Sequence, residues 1–453
     1  MEYGFWVSLI IFGVTFGLII SEKVHRTVIG FFGAILMVIF GMVGKFYTPE
    51  QAIDAIDFNT IGLLMGMMVI IAILEETGAF QYLGIYTAKK TKGNPWMLVV
   101  ALGTLTTVLS LILDNVTTII LIVPVTIIVT KILKINPMPV LMAEALLSDT
   151  GGVGTLVGDP PNIMIGSAAN FSFNTFLTHS MPVVIFAWLA TLIVLKFVFN
   201  KEMKEKPQNI DELMKMNEKD AITDLGTLKV IIFILCLVVG LFFMHSSLHI
   251  APSTVALIGA ALALLVISPK KDPQKIFAKL ELSVLVFFAS LFVIVGGLEH
   301  AGVLEHLANL LVSGGTDNMI MTAIIVLWSS AILSALVDNI PFTVAMIPVI
   351  AYLQAQGAEV NLLWWALVFG VGFGGNGSPI GSTANVIVVS KSEQTDYPIT
   401  FKSWMKSGTA AMITTCVVAT IAILLFHDFL GAPTAEQKNP TEMHSLEISG
   451  HQK

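Results

Sequence analysis

Apolar residues come in long runs along this chain, cut by short polar steps. The runs predict spans at about 3–20, 27–44 and 58–75, then a short amphipathic piece at 78–92. An interrupted run follows at 96–133, then a span broken near 151–161 within 138–170, and another span at 181–199. A polar segment, 200–228, is read as a solvated cytoplasmic connector. The plan then recurs as spans at 229–245, 252–268 and 282–299, a short piece at 302–313 and an interrupted run at 319–354. A broken span at 361–390 and a span at 405–426 complete it. Most runs come near the ~20 residues a helix needs to cross hydrocarbon. The last stretch, 428–453, lacks periodicity and is expected to be disordered.

The polar steps match across the two halves. Leu113-Asp114-Asn115-Val116-Thr117-Thr118 has its twin in Val337-Asp338-Asn339-Ile340-Pro341-Phe342, 224 residues on. At the same offset Ser110 pairs with Ser334, Pro124 with Pro348, Glu75 with Glu299 and Gly78 with Gly302. The second break repeats too: G-G-x-G-[S/T]-x-x-G-x-x-x-N runs from Gly151 to Asn162 and again from Gly374 to Asn385, at an offset of 223. The chain is therefore read as a duplication, with repeats at 1–199 and 229–427 joined by the connector.

Each interrupted run could be one kinked span or a re-entrant hairpin that enters and leaves on one side. Charge separates the two. With two hairpins each repeat has five spans, ten in all, and both termini lie outside. Then 21 of the 24 basic residues, Arg26 and Lys131 among them, fall on the cytoplasmic side. Single spans would put Lys131 and Lys134 opposite Lys89, Lys90 and Lys92. The hairpin reading is preferred. Five is an odd number, so the repeats must be inverted, and inverted repeats with helices broken at mid-membrane are a signature of secondary transporters. The predicted fold is an all-α polytopic membrane protein.

Composition agrees with this class: 55% of residues are apolar and 12% charged, about half the charge of a soluble protein. The lipid bilayer is the partner this implies. The net charge of −7 gives no sign of nucleic-acid binding. Cys236 and Cys416 stand alone in apolar runs, with no pairing or metal spacing. Met1-Glu2-Tyr3 lacks the basic start of a cleaved signal peptide, and a multi-pass protein of the cell (plasma or inner) membrane is expected.

Broken backbone at membrane depth must be buried in protein or line a watered cavity. The half-helix ends it leaves carry free N–H groups or carbonyls, which can hold an ion. The rival reading is plain capping: Asp114, Asp159, Asp338 and Ser382 all suit N-caps, and Pro160 suits the first helical position. An ionisable group in a membrane is costly and is usually kept for transport, which favours a site. The acids are unequally shared. Asp114, Asp149 and Asp159 lie at the breaks of the first repeat; the second has only Asp338, with Gly372 and Ser382 in the other places. No Lys or Arg occurs in any of the four breaks. The expectation is an acidic pocket without basic partners, suited to H⁺ or Na⁺, with protonation of Asp114, Asp149 or Asp159 as the coupling step. No cofactor is implied beyond that ion. Glu144 is either a buried partner or part of the site, and Glu75 and Glu299 are read as interfacial.

Enzyme readings fail on spacing. Leu156 interrupts the G-x-G-D of an intramembrane aspartyl protease, Glu299-His300 through His306 gives no H-E-x-x-H, and Pro379 follows Gly377-Ser378 where a rhomboid-like protease needs Gly. A channel on the same fold stays an alternative to a carrier.

Four motifs in order, D-N-V-T-T with a following P-V-T, G-G-x-x-T-x-x-G-D-P-P-N, V-D-N-I-P-F-T and G-G-N-G-S-x-I-G-x-x-A-N-V, resemble one branch of the ion transporter superfamily. This is the ArsB/P-protein (arsenite/antimonite permease-like) branch, related to the divalent-anion/sodium symporters and the NhaD antiporters. The resemblance runs to about residue 427. It implies a scaffold domain and a transport domain in a homodimer working by an elevator motion. The short pieces 78–92 and 302–313 would be the arms, with Gly78 and Gly302 as hinges. Carried over by motif, Asp114, Asn115, Thr117, Thr118, Thr155, Gly158, Asp159 and Asn162 form one half-site, beside Asp149. Asp338, Asn339, Thr343, Asn376, Ser378, Ser382, Thr383 and Asn385 form the other. Any Na⁺ would sit near Asn115 and Asn339. The implied function is a permease that uses an H⁺ or Na⁺ gradient to move a small inorganic or organic anion or metalloid oxyacid. The alternative is Na⁺/H⁺ exchange of NhaD type. Nothing in the chain calls for a cytoplasmic ATPase subunit.

Overall fold

A computed structural model describes residues 2–21, 23–268, 272–306, 318–434 and 437, and every regular element among them is helical. The first repeat forms α1 (Glu2–Ile20), α2 (Arg26–Gly44), α3 (Pro49–Asp54), α4 (Phe58–Glu76) and α5 (Ala79–Lys90). It continues with α6 (Pro95–Ser110), α7 (Asn115–Leu133), α8 (Met138–Gly152), α9 (Pro160–Ala169) and α10 (Phe173–Val198). The connector carries α11 (Ile210–Lys215). The second repeat gives α12 (Leu225–Met244), α13 (Pro252–Ile267), α14 (Pro273–Phe277), α15 (Leu282–His300) and α16 (Met319–Leu336). Then come α17 (Asn339–Ala355), α18 (Asn361–Gly374), α19 (Thr383–Ser392) and α20 (Phe401–Gly431). Eight of the described helices are long and apolar enough to cross a membrane. Large apolar side chains such as Phe32, Phe186, Phe197 and Phe233 point outward from them, as lipid contact requires.

Two expectations about the chain's edges fall partly beyond view. Residues 307–313 of the short piece expected at 302–313 lie outside the described residues. So do 435–436 and 438–453 of the tail. The ordered part nevertheless extends past 427: α20 runs to Gly431, and Asn361 Nδ2 donates to the carbonyl of Ala432 at 2.9 Å.

Packing forms two groups. In one, α4 lies on α13 and α15 on α2, with α1 and α12 beside them. In the other, α6 lies on α8, α16 on α18, and α10 on α20. Each repeat's returning hairpin helix packs on the break helix of the other repeat, α7 on α19 and α17 on α9. Small residues permit the close approaches. A Cβ on Gly66 would stand 2.6 Å from the backbone of Ala256, and one on Gly370 would stand 2.6 Å from the carbonyl oxygen of Leu327.

Helix directions are readable from end contacts. α2 and α15 run the same way: Thr27 Oγ1 donates to Ser283 O at 2.9 Å near their starts, and Gly297 meets Met37 further on. α4 and α13 also run the same way, with Asn59 beside Ser253 and Ile70 beside Gly259. By contrast the start of α10 meets the end of α20, where His179 stacks on Phe429 with ring centroids 4.2 Å apart.

The connector is largely exposed, as expected, and it is also tied to the first repeat. Lys89 Nζ bonds Glu218 at 2.6 Å and the carbonyl of Met216 at 2.8 Å, and Thr223 N donates to Thr77 O at 3.0 Å. Gly78, at φ +76°, lies so close under the Ala221 carbonyl that a Cβ would be 1.8 Å from its oxygen. The hydrogen bond from Lys89 holds the Glu218 carboxyl below its ordinary range.

Two outcomes follow. Gly66→Val forces α4 off α13 and should cost about 1–3 kcal/mol, read as a lower melting temperature in detergent; Gly13→Val, with nothing within 4 Å, should leave it unchanged. Because the native Glu218 value is depressed, the strap is fully in place above the ordinary glutamate value of about 4.3 and is lost as pH falls through the native one. Hydrogen-exchange protection of residues 216–223 should therefore persist through that range and drop only below it.

Candidate functional site

The breaks are built alike in the two repeats. After α8 the chain turns through 153–159, and after α18 through 375–382. Asn162 Nδ2 donates to the carbonyls of Gly152 (3.0 Å) and Thr155 (2.8 Å), and Asn385 Nδ2 to those of Gly375 (2.9 Å) and Ser378 (3.2 Å). Carbonyls left over where a helix stops thus find donors. Thr155 Oγ1 ties the first break to the hairpin turn at Leu111 O (2.6 Å), and Ser378 Oγ ties the second to Ala335 O (2.5 Å). Gly158 and Gly381 are fixed by the same closeness: a Cβ on either would lie 2.5 Å from the carbonyl oxygen of Gly152 or Gly375.

The acids divide by what they touch. Asp114 caps α7, one oxygen accepting from Thr117 N at 2.8 Å and the other from Thr117 Oγ1 at 2.6 Å, so capping accounts for it. Asp338 caps α17 with Oδ1 only, from Ile340 N at 3.2 Å. Asp159 and Ser382 stand at the N-cap positions of α9 and α19 but bond no backbone N–H there. They reach across to the other repeat instead. Asn339 Nδ2 donates to Asp159 at 3.2 Å, and Ser382 Oγ donates to Asp149 at 3.1 Å. Asn115 Nδ2 reaches the same Asp149 oxygen at 2.9 Å, and Asn376 Nδ2 reaches Thr150 Oγ1 at 3.1 Å. These groups are all buried. Asp149 Oδ2 and the Oδ1 atoms of Asn162, Asn376 and Asn385 have no hydrogen-bond partner among the described residues. Buried oxygens of this kind favour a proton or a cation.

Among the described residues three expected ones make no side-chain hydrogen bond to the other repeat. Thr117 lines a separate cavity of about 270 Å³ with Met68, Glu75, Ile120, Lys279 and Glu281. Thr343 Oγ1 is used within its own helix, donating to Asn339 O at 2.7 Å. Thr118 is buried with its hydroxyl unpartnered among the described residues. Glu144 accepts from Thr126 between α8 and α7.

The expectation of a pocket without a basic partner is overturned. Arg26 Nη1 donates to Asp338 Oδ2 and, at 2.8 Å, to Thr383 Oγ1, which itself donates to Asp338 Oδ2 at 2.9 Å. The guanidinium lies over the Phe287 ring, with Cζ 5.3 Å from its centroid. Reading each break for its own charges could not find this contact, because 312 positions separate Arg26 from Asp338. One signal was present: Arg26 is the only arginine among the 24 basic residues.

Residues 16–370 match the family model described as citrate transporter (CitMHS). The chain belongs to the citrate transporter family. A 46 kDa membrane protein of Mycobacterium leprae (strain TN) is 36% identical over 425 residues, covering 92% of this chain and 98% of that one. An uncharacterized transporter of Mycobacterium tuberculosis (strain ATCC 25618 / H37Rv) is 37% identical over 426 residues, covering 93% and 97%. The P protein of Sus scrofa is 30% identical over 506 residues, covering 94% of this chain and 60% of the P protein. The fold is similar to that of the Alcanivorax borkumensis YdaH transporter, with a TM-score of 0.59 at 12% identity over 94% of this chain and 98% of that one. This family member is a multi-pass membrane transporter, and its relation to the P protein agrees with the branch its four motifs resemble.

The paired break amides give a test that separates donors from shape. Asn162→Asp and Asn385→Asp are isosteric but replace two N–H bonds with an oxygen facing two carbonyls. Each should cost about 1–3 kcal/mol or more, read as a lower melting temperature. Asn174→Asp, on a partly exposed side chain at the start of α10 that gives Phe243 O a single bond, should cost less.

Proposed function

We propose that this chain is a secondary active carrier that uses an H⁺ or Na⁺ gradient to move a small anion, a carboxylate or an oxyanion. One observation carries the reading. Asp149 and Asp159, buried at the breaks, are held only by neutral donors, Asn115, Ser382 and Asn339, two of these from the opposite repeat. Among the described residues neither forms an ion pair. A carboxylate buried at membrane depth with neutral donors only favours a proton or a cation.

Helix directions support two re-entrant runs. α2 and α15, and likewise α4 and α13, run the same way only if an odd number of crossings separates them, which holds when 96–133 does not cross. The meeting of the start of α10 with the end of α20 favours the same for 319–354. With the lysines inside, this gives ten spans, inverted repeats and both termini outside, in a homodimer of the cell membrane. Hairpins and breaks would then move as one body against the group of α1, α2, α4, α12, α13 and α15. Na⁺/H⁺ exchange is the second reading, favoured by the four unpartnered buried oxygens.

Counterflow on purified protein in proteoliposomes, with citrate, sulfate, arsenite, antimonite or chloride and with or without pH and Na⁺ gradients, decides between them. Saturable flux of at least one anion driven by one gradient is expected, and Asp149→Asn and Asp159→Asn should each cut driven uptake by about tenfold or more. Sodium uptake driven by a pH gradient with no anion flux would establish the second reading. Conductance without saturable counterflow would sink both.

A further inference from the structure

We propose that Arg26 is the anion-recognising residue of this site, and that its ion pair with Asp338 is the form the site takes when no anion is bound. The assignment rests on the anion-carrier reading above and names the residue that carries it.

Composition gives the first argument. The chain uses lysine wherever a positive charge is needed, and places its one arginine here. Arginine differs from lysine in its planar fork, which matches carboxylates and oxyanions at two points. The second argument is the way that fork is held. Both hydrogen bonds, to Asp338 and Thr383, leave from Nη1. Among the described residues Nε and Nη2 have no partner, so the side-on edge of the guanidinium stays open. Phe287 supports the plane from one face. The Arg26 side chain keeps 25% of its surface exposed and Asp338 keeps 14%, so the pair is not sealed inside the protein.

The surroundings suit an anion. Asp338 precedes α17 and Thr383 begins α19, so two helix N-termini converge on the guanidinium, each with its positive end toward it. That a carboxylate already sits on Nη1 shows that the geometry accepts one. Glu281, just before α15, is a further carboxyl within electrostatic reach of Arg26. The arrangement has no copy in the first repeat's own terms, because the position 224 residues on from Arg26 is Ile250. The duplicated site is thus divided: buried acids of the first repeat face the coupling ion, and the second repeat, completed by α2, faces the anion.

A plain strut between α2 and the second hairpin is the competing account, and it makes opposite predictions. If the pair is a strut, losing either partner should do the same harm, and losing both should relieve it. The test is thermal stabilisation of the purified full chain in detergent, titrated with citrate and separately with sulfate. Arg26→Gln should raise the half-saturating anion concentration by about tenfold or more. Asp338→Asn, which frees the guanidinium, should lower that concentration, and the double variant should behave like Arg26→Gln. Arg26→Lys keeps the charge without the fork and should weaken binding by about threefold or more, which keeps the test open if Arg26→Gln does not fold. A double variant with wild-type affinity, or Arg26→Gln and Arg26→Lys both within about twofold of wild type, would overturn the assignment while leaving the carrier reading intact. A wild-type protein stabilised by neither anion, with no anion counterflow, would remove the carrier reading and this one together.

Discussion

A helix that stops inside a bilayer leaves backbone groups that lipid cannot satisfy, and the centre of this protein is built to answer that constraint. The amides of Asn162 and Asn385 each take two carbonyls, and the hydroxyls of Thr155 and Ser378 staple each break to its neighbouring hairpin turn. Trp404 Nε1 takes the carbonyl of Asn376 at 3.1 Å. These partners must stand about 3 Å apart, so the turns are held against one another with no room for a side chain at Gly158 or Gly381. With the backbone satisfied from within each repeat, Asp159 and Ser382 need not cap their own helices and can reach across.

Interlocking turns that freedom into a shared site. Since α7 lies on α19 and α17 on α9, neither repeat contains the site by itself. Duplication could therefore be followed by divergence without loss of shape. An aspartate at 382 would face Asp149 as a like charge, whereas Ser382 supplies a hydrogen bond to it. An acid at 372 would meet Val153 at once, because even a Cβ there would lie 2.3 Å from Val153 Cγ2. The uneven sharing of acids is thus a packing and charge requirement of two copies pressed together.

Most of the helix layout was legible because it depends on local pattern. The start of α8 at Met138 and the turns after Gly152 and Gly374 follow from apolar length and from glycine and proline, which read the same in any context. The 223-residue offset also told that the two breaks would be built alike. What a polar residue does with its free atoms was not legible. Asp114 and Asp159 both precede a helix, yet one caps and the other does not, and only the partner across the interface distinguishes them. Arg26 was hidden for the same reason. Its charge was counted toward topology, where any cation serves, while its shape matters to Asp338 and Thr383.

The connector adds an asymmetry that no motif carries. Gly78 and Gly302 share a φ of +76°, a conformation that glycine adopts readily, and both precede a short helical piece. Yet Gly78 is pressed under Ala221 and flanked by the bonds of Thr77 to Thr223 and Lys89 to Glu218, while a Cβ on Gly302 would meet nothing within 4 Å. Two hinges with one backbone geometry therefore differ in what they must carry. In the motion proposed above, α5 cannot turn about Gly78 unless the connector turns with it or Glu218 leaves Lys89. In that motion the first arm would be coupled to the segment that joins the repeats, whereas no described atom crowds Gly302 in this way.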